Sequence, residues 1–469
     1  MKPLSIHDIR KAVSGKAITP IPESVPSISA VCTDTRSMEP SSLFVAIKGD
    51  NHDAHHFISD AAARGAIAVL VQEKPTFTLP NVHVIQVKNT RVALGKLATL
   101  VRKQMQAKVI AVAGSNGKTS TKHLIAAALS GLHGTASPKS FNNDIGVPLT
   151  IFLADALQDF LVLEMGTNNP GEIRNLTTMA RPDMAVITNC SAEHLQGLGD
   201  LLGVKRENAT ITDGLDEKMG LLIVNGDDPE LLTVLENWKG KKVTFGFDKK
   251  NNLFATDIET DHTGCRFNLN GNEKFRFFVP MLGRHTACNA LAAIAVGRRL
   301  GLTEKEIAQG LATCKGPDMR LQLQPTGDVT VLNDAYNANP ASMRAALETA
   351  AHLPTQGRRF AVVGDMLELG RSSDRFHRET GEFAATCNFD ALVCIGSQAR
   401  LIMEEAISHG MDPARVSHFP DSTTAAKEVP NWLRPGDLVL LKGSRGMCLE
   451  KLANAIGQTW GMGMTLKTA

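Results

Sequence analysis

Lys118 and Thr119 carry the clearest chemical signature in the chain. They close the run Gly114-Ser115-Asn116-Gly117-Lys118-Thr119, and Ser120 follows. A Val- and Ile-rich stretch at 108–113 precedes the run and reads as a buried strand. Beyond it Leu124, Ile125, Ala128, Leu129 and Leu132 recur at helical spacing. Strand, glycine loop, Lys-Thr and helix, in that order, is the context in which such a loop cradles phosphate. Glycines let successive backbone N–H groups turn inward around phosphate oxygens, and the helix N-terminus adds positive potential. Lys118 would reach the β- and γ-phosphates, and the Thr119 hydroxyl would ligate Mg²⁺. The plain alternative is a strand-to-helix turn with a surface lysine, and the flanking elements argue against it. Val112 stands where the general pattern has its first glycine.

Two further groups fall at the ends of apolar runs. Glu164 closes the run 160–165, and His194 follows the run 184–189. Mg²⁺ takes hard oxygen ligands and waters, which suits Glu164 directly or one step removed. His194 at the same sheet edge is a candidate second-metal ligand. A strand-end glutamate or a lone histidine means little by itself. Both are placed where an open parallel sheet binds its ligands, beyond the carboxyl ends of its strands. The cluster His52, Asp53, His55 and His56, after Lys48-Gly49-Asp50, fits no standard zinc spacing, and a solvated polar loop is the preferred reading.

The elements that must position these residues alternate strand and helix through most of the 469 residues, a length that suggests about three domains. Residues 1–107 read as a small α/β domain, with helices over 6–13 and 55–64. Strands are expected at 30–33, 43–47, 66–72 and 82–87. A long helix is expected to be capped by Thr90, with Val92, Leu94, Leu97, Leu100 and Val101 as its apolar stripe. Residues 108–317 hold the phosphate loop on a parallel sheet of the mononucleotide-binding kind, with a β-rich insert at 243–279. Residues 318–469 form a second, Rossmann-like α/β alternation that lacks a dinucleotide fingerprint. Hydrophobic content of 43%, charge of 21% and a net charge of +2 give no bulk-charge argument for nucleic acid or a membrane surface. No run approaches the about 20 apolar residues of a bilayer span. The amino terminus lacks a signal-peptide core, and the eight scattered cysteines read as reduced thiols. A cytoplasmic, monomeric enzyme acting on small molecules is expected.

With these motifs the chain resembles the Mur ligases, the ATP-dependent amide-forming enzymes of cell-wall precursor synthesis. Their phosphate loop reads GTNGKT or GSNGKT, so Val112 becomes a family mark. The resemblance spans the chain in order, through Phe141-Asn142-Asn143-Asp144-Ile145-Gly146-Val147-Pro148 and Glu164-Met165-Gly166 with Gly171-Glu172-Ile173. It continues through Asn333-Asp334-Ala335-Tyr336-Asn337-Ala338-Asn339-Pro340, Gly364-Asp365-Met366-Leu367-Glu368-Leu369-Gly370 and Lys442-Gly443-Ser444-Arg445. These motifs are similar to those of the branch that adds D-alanyl-D-alanine to UDP-N-acetylmuramoyl-tripeptide. The Asp-Asn-Pro-Arg sequence with which another branch selects diaminopimelate is absent.

The resemblance implies carboxylate activation by ATP to an acyl phosphate, then attack by an amine. It implies that the first domain holds the UDP end, with Thr35 and Arg36 as candidates. The middle domain would hold ATP and the last the incoming dipeptide. Lys118, Glu164, His194 and Arg320 become catalytic candidates, with Thr119, Glu164 and His194 for metal. Asn289 matches an adenine contact, Arg320 a γ-phosphate contact and Asp334 a ribose contact. Tyr336 either packs on adenine or is a core aromatic. Asn142, Asn143, Asn337, Lys442 and Arg445 join the substrate candidates, and for the last two a solvated strand end is the alternative. One departure stands out. The family carries a lysine that becomes carbamylated and positions Mg²⁺, and here Asn208 occupies its place, with Thr210 where an acid is usual. Lys205, one turn earlier, is a possible substitute. The preferred expectation is activity without a carbamate, with Asn208 giving a neutral oxygen or holding water. A ligase with another acceptor, including a folylpolyglutamate type, and a plain phosphate-loop NTPase module are the competing readings.

Overall fold

The computed structural model describes residues 1–461 except positions 23, 25, 50, 51 and 156, and at 273 and 274 it describes backbone only. Asp50, in the His-rich loop motif, lies outside the described residues. The chain builds a five-stranded, a nine-stranded and a six-stranded sheet in sequence order.

The nine-stranded sheet positions the site. Its strand Lys108–Ala113 runs parallel between Phe160–Glu164 and Met184–Ile187. Register places Val112 beside Glu164 and Ala113 beside Ile187, so all three strands deliver their carboxyl ends to one edge. Val112 is a fully buried core residue of this strand, and the turn itself starts at Gly114. Gly114 has φ +128°, and a Cβ there would stand 2.1 Å from Thr188 Oγ1, so only glycine fits. The helix Lys118–Ala128 starts from Gly117 at φ +80°. It buries Leu124, Ile125 and Ala128, with Leu129 just beyond, in a core shared with the helix His285–Arg299. The β-rich stretch is not a separate body. Leu253–Asp261, Gly264–Leu269 and Asn272–Val279 are antiparallel and extend the central sheet through the pairing of Phe245 with Leu253.

The first sheet leans on the helix Thr90–Lys103. Its N-cap is Asn89, whose side chain accepts from the Val92 amide, rather than Thr90, which is buried in the first turn. Val92 is 57% exposed and leaves the apolar stripe, which is instead Ala93, Leu94, Leu97, Ala98 and Val101. That stripe belongs to one apolar core shared with the central helices Gly146–Leu153 and Glu172–Ala180. Arg102 adds bonds to the carbonyls of Ala180 and Arg181 and to Asp183.

The last sheet runs Gln322–Thr326, Val329–Asp334, Leu438–Lys442, Arg359–Gly364, Ala391–Ile395, Val416–Phe419, with only the first strand antiparallel. Sequence reading missed both edge strands. Gln322–Thr326 contains Pro325, which is tolerated at an edge, and Val416–Phe419 is four residues long. The helix Ser422–Trp432 carries Pro430 within it, and the last helix starts at Glu450 after a short turn. Leu97→Ala should lower unfolding free energy by about 2–5 kcal/mol, because it opens a cavity in the core shared by two domains. Urea denaturation measures it.

Candidate active site

A cleft of about 780 Å³ lies between the central and last sheets, and the phosphate loop lines it together with Glu164, His194, Asn289, Arg320, Asp334, Tyr336 and Lys442. Lys118 folds back over its own loop. Its Nζ donates to the carbonyls of Gly114 at 2.5 Å and Ser115 at 3.0 Å, and lies 3.7 Å from Glu193 Oε1. Glu193 was not foreseen. Burial pushes its carboxyl up, and the nearby Lys118 cation partly offsets that.

Glu164 is held from three sides. Its Oε1 accepts from Thr119 Oγ1 at 3.1 Å and Asn142 Nδ2 at 3.2 Å, and its Oε2 lies 3.0 Å from Lys122 Nζ. Glu164 and Lys122 each expose only 1% of their side chains. Burial pushes the Lys122 ammonium down, and Glu164 opposes that shift. Lys122 also donates to the Lys139 carbonyl, so it ties the loop helix to the segment carrying Asn142. Its signal was present in the sequence. A lysine three residues before Ile125 sits on the buried stripe of the helix.

Asn289 packs over Gly117, where a Cβ would meet its Oδ1 at 2.7 Å. Asn116 and Asn339 exchange amide hydrogen bonds of 2.8 and 3.2 Å across the cleft, and Asn339 also caps the helix Pro340–His352. The guanidinium of Arg320 lies 4.4 Å over the Tyr336 ring, so one face of that ring is already covered. Lys442 is not a solvated strand end. It is 2% exposed, lies 3.0 Å from Asp334 Oδ2 and donates to the Asn337 carbonyl at 2.5 Å. Burial pushes its ammonium down and Asp334 opposes this. Asn142, Asn143, Asn337 and Ser120 also line the cleft.

Several candidates are elsewhere. Arg36 is bound by Asp34 at 2.6 Å with 86% of its side chain exposed, and Thr35 opens the short turn beside it, so neither lines the cleft. Arg445 lies 3.6 Å from Glu450, also outside. In the His-rich loop both ring nitrogens of His55 are occupied, by Asp53 and by the Gln72 amide. Among the described residues no group of three or more His, Cys, Asp or Glu forms a ready metal cage. Mg²⁺ on a nucleotide needs few protein ligands, since phosphate and water complete its shell. The buried hydroxyl–carboxylate contact of Thr119 and Glu164 supplies hard oxygens that fit such an ion.

Neither Asn208 nor Lys205 lines the cleft. Asn208 Nδ2 donates to the Val204 carbonyl, and its buried Oδ1 has no hydrogen-bond partner among the described residues. Lys205 Nζ lies 2.7 Å from both Asp228 and Glu230. Burial pushes this ammonium down, but the two carboxylates outweigh it and hold its pKa above the usual lysine value.

A phosphate loop on a parallel sheet, facing a second α/β domain across a polar cleft, defines a nucleotide-using enzyme whose cleft is shared by two domains. Family models agree in order along the chain: Mur ligase family, catalytic domain, at residues 27–106; Mur ligase middle domain at 112–297; and Mur ligase, glutamate ligase domain, at 319–445. A Bacillus subtilis relative named UDP-N-acetylmuramoyl-tripeptide–D-alanyl-D-alanine ligase is 37% identical over 96% of this chain and 97% of its own. The chain belongs to the Mur ligase family. The fold matches a crystal structure of MurF from Acinetobacter baumannii with TM-score 0.87 and 29% identity, covering 98% of this chain and 99% of that one. It also matches a MurF ligase from Thermotoga maritima in complex with ADP, with TM-score 0.80, 26% identity, and 92% and 97% coverage. No helix among the described residues is long and apolar enough to cross a membrane.

Carbamylation requires a neutral amine, which the two carboxylates deny to Lys205. Lys205→Ala should therefore give the same turnover with and without added bicarbonate, as should the unaltered enzyme. Bicarbonate-dependent activity that disappears in Lys205→Ala would show the opposite.

Proposed function

We propose that this enzyme joins D-alanyl-D-alanine to UDP-N-acetylmuramoyl-tripeptide at the expense of ATP, as a cytoplasmic monomer. The observation that carries the reading is the joint placement of Lys118, Glu164 and Arg320 in a cleft faced by a second domain. The names of full-length relatives supply the substrates. In this scheme residues 1–107 hold the UDP end, with Thr35 and Arg36 reaching the substrate outside the cleft. Residues 108–317 hold ATP, and residues 318–469 bring the dipeptide.

The terminal carboxylate oxygen of the tripeptide attacks the γ-phosphorus, and the bond to ADP breaks. Two anions must approach each other for this. Lys118 swings from its own loop carbonyls to the phosphates, and Arg320 adds a second cation, so the charge on the transferred group is met by fixed donors. Asn289 and Tyr336 hold the base, and Asp334 the ribose. Thr119, Glu164 and His194 would hold Mg²⁺, which when bound offsets phosphate charge. Next the amine of the dipeptide attacks the acyl carbon, phosphate leaves with the carbon–oxygen electron pair, and the nitrogen gives up its extra proton. Asn142, Asn143, Asn337 and Lys442 would meet the substrate from the cleft, Lys442 from its buried pair with Asp334, and Arg445 would meet it from outside the cleft. The acyl phosphate is lost to water unless the site is closed, which assigns the last domain a shielding task.

Mass spectrometry of a mixture of ATP, UDP-N-acetylmuramoyl-tripeptide and D-alanyl-D-alanine should show the pentapeptide together with ADP. Phosphate release stimulated by a different amine would indicate another acceptor, and release without any amide would indicate an NTPase. Lys118→Met should lower kcat by about 100- to 1,000-fold, the usual loss when one transition-state donor is removed.

A further inference from the structure

The ring of His194 is held from the far side of the cleft. Its Nδ1 is hydrogen-bonded to Oε2 of Glu368, in the turn after the strand Arg359–Gly364 of the last domain. The Gln196 amide donates to the Glu368 carbonyl at 3.2 Å. Gly370 comes so near that a Cβ on it would lie 3.6 Å from the backbone of Gln196. Two turns from different domains thus meet backbone to backbone around one histidine–carboxylate pair. Both members of the pair have left-handed backbones, at φ +49° for His194 and +64° for Glu368. Histidine tolerates that region better than most side chains, whereas a glutamate there is uncommon, and backbones of this kind gather at functional sites. As a stabilising ion pair the contact contributes little, because 56% of the Glu368 side chain is exposed.

The pair has a chemical consequence. A carboxylate only accepts, so Nδ1 carries the hydrogen, and in the neutral ring Nε2 then keeps a bare lone pair. No hydrogen bond to Nε2 occurs among the described residues, and His194 lines the cleft together with Lys118 and Glu164. We propose that Glu368 is a positioning residue for His194, fixing the tautomer and direction of its ring only while the last domain is docked. Docking therefore completes the site as well as shielding it. This rests on the ligase reading, in which His194 serves the phosphoryl-transfer site. The Gly364–Gly370 motif acquires a task that composition alone did not give it.

Two variants test the proposal. Glycine adopts φ +64° freely, so Glu368→Gly removes the carboxylate while relaxing the turn. Its kcat should fall about 10- to 100-fold, the range seen when a histidine's supporting partner is lost. Calorimetric ADP affinity and KM for ATP should stay unchanged, and the melting temperature should hold or rise. Glu368→Gln, which still accepts through its amide oxygen, should recover part of the loss. A second readout needs no turnover. Nitrogen NMR of the His194 ring should show a protonated Nδ1 and bare Nε2 in the unaltered enzyme, and a loss of that preference in Glu368→Gly. Unaltered kcat in Glu368→Gly, an unchanged ring spectrum, or a fall in melting temperature that matches the lost activity would overturn the proposal. If the unaltered enzyme forms no amide, the ligase reading fails, and the ring spectra still decide what Glu368 does.

Discussion

Glu164 is a carboxylate almost without access to water, and the rest of the cleft is arranged around keeping it satisfied. Its amide donates to Ser137 Oγ, and its two oxygens take up Thr119, Asn142 and Lys122. These partners come from the phosphate-loop helix and from the segment 137–142, so one side chain fixes three stretches of backbone relative to one another. Removing one member of a buried ion pair typically costs about 3–5 kcal/mol, because the other charge is left unpaired. The pair is a poor source of net stability for the same reason, since both ions were taken out of water to form it. Its value lies in geometry. Lys122 holds one oxygen of Glu164 and leaves the other beside the Thr119 hydroxyl, at the mouth of the loop.

The two domain boundaries are built from different physics. The first domain meets the central one through a continuous apolar core, reinforced by Arg102 on the carbonyls of Ala180 and Arg181 and by the Arg91–Asp144 pair. Separating these domains would expose Leu94, Leu97 and Ile173 to water together. The last domain meets the central one across a polar cleft, through the Asn116–Asn339 amides and the His194–Glu368 pair, with smaller apolar contacts at Leu282 and Phe376. Such polar groups exchange protein partners for water at little net cost. The apolar boundary therefore ties the first domain to the central one, and the more polar boundary resembles the interfaces across which domains move.

What was legible in the sequence was what depends on local chain geometry. A phosphate loop needs glycines at particular turns and a lysine at the helix start, so Gly114–Ser120 stood out, and so did the strand ends at Glu164 and His194. Asn289, Asp334 and Tyr336 became visible only through family motifs, because nothing in their local sequence marks them. Glu193, Asn339 and Glu368 were passed over, since each acts through a partner tens to hundreds of residues away. Lys122 was the exception that could have been read, as a charge on an apolar stripe. Arg36 and Arg445 are a different case, since neither lines the cleft. Each pairs with a local acid, Asp34 or Glu450, and sequence spacing cannot distinguish an arginine engaged by its neighbour from one free to meet a ligand.

The charge around the phosphate loop also bears on Asn208. A carbamate there would add a negative group, and the carboxylates of this part of the chain do not all offer to replace it. Both oxygens of Glu207 are spent on the amides of Gly171 and Ile173, with Thr167 on one of them, so Glu207 serves as the anchor of a helix start. Asp228 and Glu230 are committed to Lys205. Glu193 alone of this group turns an oxygen toward Lys118 in the cleft. It lies one residue before His194, which makes the loop after Met184–Ile187 the supplier of both an anion and an imidazole at the sheet edge. The cleft is therefore lined by Glu164, Glu172, Glu193 and Asp334, carboxylates fixed by the fold, and not by Asn208.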